Sequence, residues 1–372
     1  MRPRDHQMFE SQVSATLTGS VARPESLIST RAGRVVYHAR TTPQGMRQSQ
    51  KAAGARVDPK LLERAHACIA ELQTFLERFR DTDAGLTARV LVRRRQTGGR
   101  RGPLREYQSF WGALRLGGSW DSAFGCTEQG TPAFRRGPWE EWPRLLPALT
   151  HLDPSLPMVL SPYCGTLLHE ALGHALEAEY LAHSPLKGRQ GQLISHHDLT
   201  VMDRPDLAGL AGSMDFDDIG WQASATTLVH RGILVGDLSR GRGVWRRASF
   251  RDLPLVRASN FMVRPGSGDP DAWLAGMPRG YYVCWLQGGN WLPGSDRVKV
   301  LTGPVFYLEH GQPRAYLNWT SIEWQTLDLL ARIVGVGRDF QVDPVVHWCM
   351  KQHQAVPMGL GMPSLLLRGE AT

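Results

Sequence analysis

The chain of 372 residues contains no run of 18 apolar residues, so no membrane-spanning helix is expected. No apolar segment follows Met1-Arg2-Pro3-Arg4-Asp5, and a secretory leader is not expected either. Cysteine is scarce. Its five positions, Cys68, Cys126, Cys164, Cys284 and Cys349, are odd in number and include no C-x-x-C pair, which excludes a disulfide framework. There is no P-loop, dinucleotide fingerprint, zinc-finger spacing or internal repeat. These absences point to a soluble protein of a reducing compartment, the cytoplasm, with enough length for two domains.

Charge is not balanced: the net value is +8, with a cluster at Arg93-Arg94-Arg95 and Arg100-Arg101. Such a cluster can contact phosphate. Its flanks, Ala88 to Val92 and Phe110 to Leu116, have the pattern of antiparallel strands, which leaves the arginines on a solvated connecting loop. Neither nucleic acid nor membrane is therefore expected as a partner.

Hydrophobic periodicity predicts a helix over Leu61 to Phe79, with Leu61, Leu62, Ala65, Cys68, Ile69, Leu72 and Phe75 on one face. Before it, short strand patterns such as Arg34-Val35-Val36-Tyr37-His38 alternate with Pro, Gly and Ser. The Pro- and Trp-rich segment Pro132 to Pro147 has the composition of an interdomain crossing whose tryptophans pack. An apolar strand, Met158-Val159-Leu160, leads into a helix over Leu167 to Tyr180. Beyond Gly220 the pattern is strand-rich, with hairpin signals at His230-Arg231-Gly232 and Glu309-His310-Gly311-Gln312. The expected fold class is α+β: a small N-terminal α/β domain over 1–150, then a strand-rich domain over 151–372 that carries the motif helix.

That helix holds the most informative stretch, Leu168-His169-Glu170-Ala171-Leu172-Gly173-His174-Ala175-Leu176-Glu177. Two neutral imidazoles can ligate a metal, and a glutamate beside them can take a proton from water. His169 and His174 are at i and i+5, roughly 140° apart on a straight helix. A π-bulge would return them to one face, and Gly173 is where that distortion costs least. The alternative is an amphipathic surface helix with solvated histidines.

Catalytic zinc normally takes three protein ligands, so a third is required. Cys68 and Cys284 sit in apolar runs and have the setting of core residues. Cys164, between Pro162 and Gly165, falls in a strand-to-helix turn. Cys349 lies in the polar, basic His347-Trp348-Cys349-Met350-Lys351-Gln352-His353, where Lys351 or a metal would stabilise a thiolate. His347 and His353 flank it as candidate hydrogen-bonding partners of the site. Glu177, three residues after His174, either orients that imidazole or faces solvent. Of His196-His197-Asp198, adjacent side chains on a strand point to opposite faces, so at most one histidine could reach a shared metal.

The H-E-A-L-G-H-A-L-E run of His169 to Glu177 resembles the zinc motif of the TldD/PmbA family of metallopeptidases, in its metal-bearing, TldD-type branch. Gly212 to Gly220 is similar to that family's G-S-L-x-I-D-D-E-G segment, and Gly243 to Ser249 to its G-x-x-R-R-x-S segment. Arg257-Ala258-Ser259-Asn260 with Pro265-Gly266 resembles R-x-T-N…P-G, and Cys349 to Pro357 resembles C-G-K-x-G-Q-x-V-P. The resemblance implies Zn2+ held by His169, His174 and Cys349, with Glu170 as general base for hydrolysis of short or unfolded peptides. It also implies a dimer, with a PmbA-type partner rather than with itself. A non-catalytic regulatory or scaffold subunit is the rival expectation, because one branch of the family lacks the metal motif. Met350 and His353 stand where the family has glycine, Ile219 replaces an acidic residue, and the N-terminal region is shorter than usual.

Overall fold

The structure, a computed structural model, describes residues 6–20, 23–37, 59–77, 85–96, 104–115, 122–126, 132–143, 146–239, 241–249 and 251–370. The fold is α+β and strand-rich. The first sheet has the order β2-β1-β3-β4-β5-β6, formed by β1 (His6–Ser20), β2 (Arg23–Tyr37), β3 (Gly85–Gln96), β4 (Leu104–Arg115), β5 (Ser122–Cys126) and β6 (Pro132–Phe134). All its pairs are antiparallel. One helix, α1 (Pro59–Leu76), packs on it through β1 and β3. Ala65, Cys68, Ile69, Leu72 and Leu76 are buried at the helical spacing expected, although the helix starts two residues earlier than predicted.

One expectation for the basic cluster changes. Arg93, Arg94 and Arg95 lie within β3, paired to β1 and β4, and not on a connecting loop. Pairing runs on past the apolar residues because a strand needs only backbone partners, so a polar run can extend it. Arg100 and Arg101 fall outside the described residues.

From residue 146 onward, two further sheets share a hydrophobic core with the motif helix. One has the order β18-β17-β14-β7-β24-β20: β18 (Gln312–Leu317), β17 (Val305–Glu309), β14 (Arg279–Val283), β7 (Met158–Leu160), β24 (Leu365–Leu367) and β20 (Ile333–Val336). The other runs β10 (Ile233–Leu234), β9 (Thr226–His230), β8 (Val201–Asp203), β13 (Asn260–Val263), β23 (Gln354–Met362), β21 (Gln341–Val342), with β22 (His347–Lys351) also on β23. A ribbon of β11 (Val244–Arg246) with β12 (Leu255–Arg257) completes the frame. So does a small sheet, β15 (Leu286–Leu292), β16 (Arg297–Thr302) and β19 (Ser321–Gln325). Two short helices, α3 (Pro270–Gly276) and α4 (Thr326–Arg332), lie outside the motif region. Both predicted hairpins are present, as β9–β10 and β17–β18.

Alternation along the strands divides the apolar residues between two clusters. Met158, Leu160, Tyr281 and Val283 join the main core, whereas Val159, Tyr282, Cys284 and Phe306 face a second cluster built on Trp139. Trp139, from the segment after β6, meets Tyr282 at 6.0 Å and Trp285 at 5.9 Å, so the crossing packs as its tryptophans imply. Cys68 and Cys284 are core residues as expected. No helix among the described residues is long and apolar enough to cross a membrane.

A buried ion pair joins this segment to the end of the chain. Arg135 donates from Nε and Nη2 to both oxygens of Asp343, at 2.9 and 2.7 Å, and His347 Nε2 meets the same carboxylate at 2.7 Å. Burial raises the Asp343 pKa, but Arg135 and His347 outweigh it and hold the carboxyl at about 2, below its ordinary 3.8. A depressed folded-state pKa contributes stability that is full above about pH 4 and lost as pH falls toward 2. Asp343→Asn is expected to cost about 3 kcal/mol at pH 7, since it leaves a buried guanidinium without its counter-charge. Thermal unfolding across pH should show that difference shrinking below pH 4; a constant difference would mean that the ionised carboxylate is not what stabilises the joint.

Candidate metal centre

The motif helix begins after Ser161, whose Oγ accepts the Tyr163 N–H at 3.1 Å. One α-helical turn, α2 (Thr166–Leu168), passes into a π-turn over His169–Gly173 and then a 3-10 turn over His174–Leu176. The π-turn is closed by the His174 N–H on the His169 carbonyl, the i to i+5 bond that puts both histidines on one face. Their ring centroids are 4.8 Å apart. Helical structure stops at Leu176, because Glu177 is extended at φ −69° and ψ 144°; the predicted continuation to Tyr180 is corrected to a turn.

Leu167, Leu168, Ala171, Leu172, Ala175 and Leu176 are all buried in the main core. Each large one contributes on the order of 1.5–3 kcal/mol. A helix apolar on every side is an interior helix, and the surface alternative is excluded: His169 is 3% exposed and His174 8%.

His169, His174 and Cys349 each bring one donor atom to within 4.8 Å of the others. The Cys349 Sγ lies 3.5 Å from His174 Nε2. His174 Nδ1 is hydrogen-bonded to Glu177 Oε2 at 3.1 Å, which leaves Nε2 for the cluster. Glu170 Oε2 lies 3.7 Å from His174 Nε2. Both nitrogens of His169 are buried with no hydrogen-bond partner, a cost of about 1–3 kcal/mol that a metal ligand would not bear. Two imidazoles and a thiolate suit zinc, whose bond lengths of about 2.0–2.3 Å place ligand atoms about 3.3–3.8 Å apart. The residues fit the ion.

Buried charge is matched around this cluster. Burial would raise the Cys349 thiol, but His174, His169 and Arg257 hold its pKa well below the usual thiol range. Lys351 Nζ donates to Glu177 Oε2 (2.7 Å), Glu179 Oε2 (2.8 Å) and the Val256 carbonyl (3.0 Å). Burial opposes ionisation of Glu177, yet His174 and Lys351 bring its pKa down to about 2. The carboxylate therefore stays an acceptor that fixes the His174 tautomer.

The remaining candidates separate. Cys164 is buried in the turn before the helix, where burial pushes its thiol up to about 12. His347 shares the Cys349 face of β22 and meets Thr166 Oγ1 at 3.3 Å as well as Asp343. His353 is corrected: it stands exposed at the β22–β23 turn with φ 60°, beside Gln352 at φ 47°, in the left-handed conformation that explains the glycine of the resembling motif. Met350 is 63% exposed on the opposite face from Cys349 and does not narrow the site. His196, His197 and Asp198 occupy a turn, so the strand argument does not apply. Their donors also approach within 4.8 Å, but His196 Nδ1 accepts the Asp198 N–H and Asp198 accepts from Ser267.

Several contributors were missed. Arg246 donates to the carbonyls of Ala258 and Pro357, and Arg257 to those of Cys349 and Gln354, so two buried guanidiniums clamp the β22–β23 hairpin. Asn260 Oδ1 accepts from Gly212 and Gly359. Gly289 on β15 lies against the helix, and a Cβ there would be 2.6 Å from Glu170 Cγ. The Gly288-Gly289 pair inside a strand was the available signal for that close approach.

Two buried histidines and a glutamate on the motif helix thus face a buried cysteine on β22, a donor set that could hold a metal ion beside a carboxylate. The chain belongs to the family described as the PmbA/TldA metallopeptidase C-terminal domain, whose model matches residues 154–371. It is 30% identical over 215 residues to a metalloprotease of Methanothermobacter thermautotrophicus, covering 55% of this chain and 47% of that one. A zinc metalloprotease TldD homolog of Saccharolobus solfataricus is 24% identical over 227 residues, 57% of this chain and 50% of its own. The chain thus spans about half the length of the curated relatives it matches. TldE from Thermococcus kodakarensis shares the fold at a TM-score of 0.69 and 15% identity, covering 98% of this chain and 96% of that one.

The gap at Gly173 is open to test. A Cβ there would sit 2.7 Å from His169 Nδ1, so Gly173→Ala should turn that imidazole out of the cluster. Metal analysis of the folded variant should find zinc reduced at least about tenfold. Full loading would show that the gap does not set the ring's position.

Proposed function

We propose that this protein is a zinc-dependent peptidase with His169, His174 and Cys349 as ligands and Glu170 as general base. The observation that carries this reading is the convergence of the three buried donors, with both His169 nitrogens lacking partners, beside the Glu170 carboxylate. When bound, zinc supplies Lewis acidity, polarising a carbonyl oxygen and making water a stronger acid near neutral pH. Glu170 Oε2 takes the proton of the attacking water and returns it to the leaving amine. Glu177 holds His174 by Nδ1, and Lys351 holds Glu177. The thiolate agrees with a reducing compartment such as the cytoplasm.

Substrate choice follows from the strand beside Glu170. β15 is the edge of its sheet among the described residues, and its Gly288 has open space where a Cβ would be. An extended peptide can add to that edge through main-chain hydrogen bonds, which tolerates varied side chains and requires an unfolded segment. We further assign the unit over 151–372 to catalysis and the unit over 1–150 to a reduced accessory role. A PmbA-type partner is proposed to close the site, a reading supported by the likeness to TldE.

Four measurements test these assignments. Cys349→Ser is expected to lose most bound zinc, while Glu170→Gln keeps it and loses about a hundredfold or more in peptide turnover. Near-normal turnover by Glu170→Gln would remove it as the base. One polypeptide offered in folded and unfolded forms should be cleaved only when unfolded, and equal cleavage would contradict edge binding. Light scattering should show a dimer with a co-expressed PmbA-type subunit; a fully active monomer would refute the partnership.

A further inference from the structure

The small sheet has the metal centre at one edge and a cavity at the other. β15 borders Glu170, and β19 is the opposite edge of the same three strands, about 10 Å away across β16. Between β19, the segment that leads into β7 and the residues that follow β24 lies a cavity of about 340 Å³. That is the small end of the range for ligand sites, about 300–1,000 Å³, so the space suits one or two residues and not a large cofactor.

Three features of the lining meet there. Leu152, Leu156, Met158, Ile322, Trp324 and Leu367 form its apolar part, and all six belong to the main core or pack against it, so the cavity is an indentation in that core. Charge on its polar side is matched except at one place. Glu323 is held by Arg297 at 2.6 Å, Arg332 by Asp328 at 2.7 Å and Glu370 by Arg332 at 3.3 Å. Arg368 is exposed beside them, and its guanidinium has no ion-pair or hydrogen-bond partner among the described residues. The uncompensated charge is therefore positive. Finally, β19 pairs with β16 alone, so its other edge has no strand partner among the described residues. Such an edge is a template for a further strand.

We propose that this cavity binds the carboxyl terminus of a peptide whose last side chain is apolar. The peptide adds to β19 as a strand, its terminal carboxylate pairs with Arg368, and its last side chain enters the apolar part. A fatty acid would use the guanidinium and the apolar wall but leave the strand edge unpaired. An acidic side chain in the middle of a peptide would leave the apolar part empty. Only the terminal residue of a peptide matches all three features. The cavity is separate from the metal centre, so the proposal stands whether or not the chain is a peptidase.

The test uses the full chain as Glu170→Gln, so that no turnover removes the probe, and a short fluorescent peptide that ends in leucine with a free carboxylate. Affinity is read by anisotropy. The same peptide with an amidated end should bind about tenfold or more weakly. Arg368→Gln should lose a similar factor for the acid and nothing for the amide, the non-additivity that marks a direct pair. Arg338→Gln removes an equal charge outside the cavity and should change affinity less than about twofold. A strand presents alternate amides to its neighbour, so N-methylation of one of the probe's last two amides should weaken binding about fivefold and of the other much less. Circular dichroism confirms that each variant is folded. Equal binding of acid and amide, unchanged affinity in Arg368→Gln, or displacement by octanoate as effective as by unlabelled peptide would overturn the proposal.

Discussion

Two histidines five residues apart share a face only where a helix is wound with an extra residue in its turn, and the candidate site depends on that winding. A π-turn is rare because its packing and hydrogen bonds are poorer than those of an α-turn. Here it is enclosed by core on every side, so relaxation to an α-turn would drive one imidazole into Leu, Val and Phe side chains. Gly173 leaves room for the His169 ring, and Phe261 meets that ring edge-on at 5.6 Å. The local geometry is thus held by tertiary packing, and the chemistry follows from it.

Charge is the second constraint. A thiolate, two carboxylates, an ammonium and two guanidiniums lie buried close together in space, an arrangement that is stable only when each charge has a partner. Lys351 bridges Glu177 and Glu179, while the guanidiniums of Arg246 and Arg257 are spent on backbone carbonyls of the hairpin that carries Cys349. The downstream motifs are in this sense one scaffold. Asp217 accepts from the backbone of Ile219 and Trp221, Arg247 donates to the Asp218 carbonyl, and both support the ribbon from which the arginines reach the thiolate strand. Ile219 itself is buried, in keeping with an apolar residue at that point.

Legible in the sequence by itself were the local winding and, through the family resemblance, the cysteine that the structure brings beside the two histidines. The i, i+5 spacing called for a π-turn, the odd cysteine count removed disulfides, and the polar setting of Cys349 distinguished it from Cys68 and Cys284. Glu177 was within reach of His174 by spacing alone. Local chemistry of this kind is legible because neighbours along the chain are fixed by covalent geometry. What only the tertiary structure decided is longer-range: that Lys351 pairs with Glu177 across 174 residues, that Arg135 holds Asp343, that β15 borders Glu170, and that Arg93 to Arg95 continue a strand. Such contacts come from the register and packing of distant strands, which a side-chain pattern of period two constrains to a face but not to a partner.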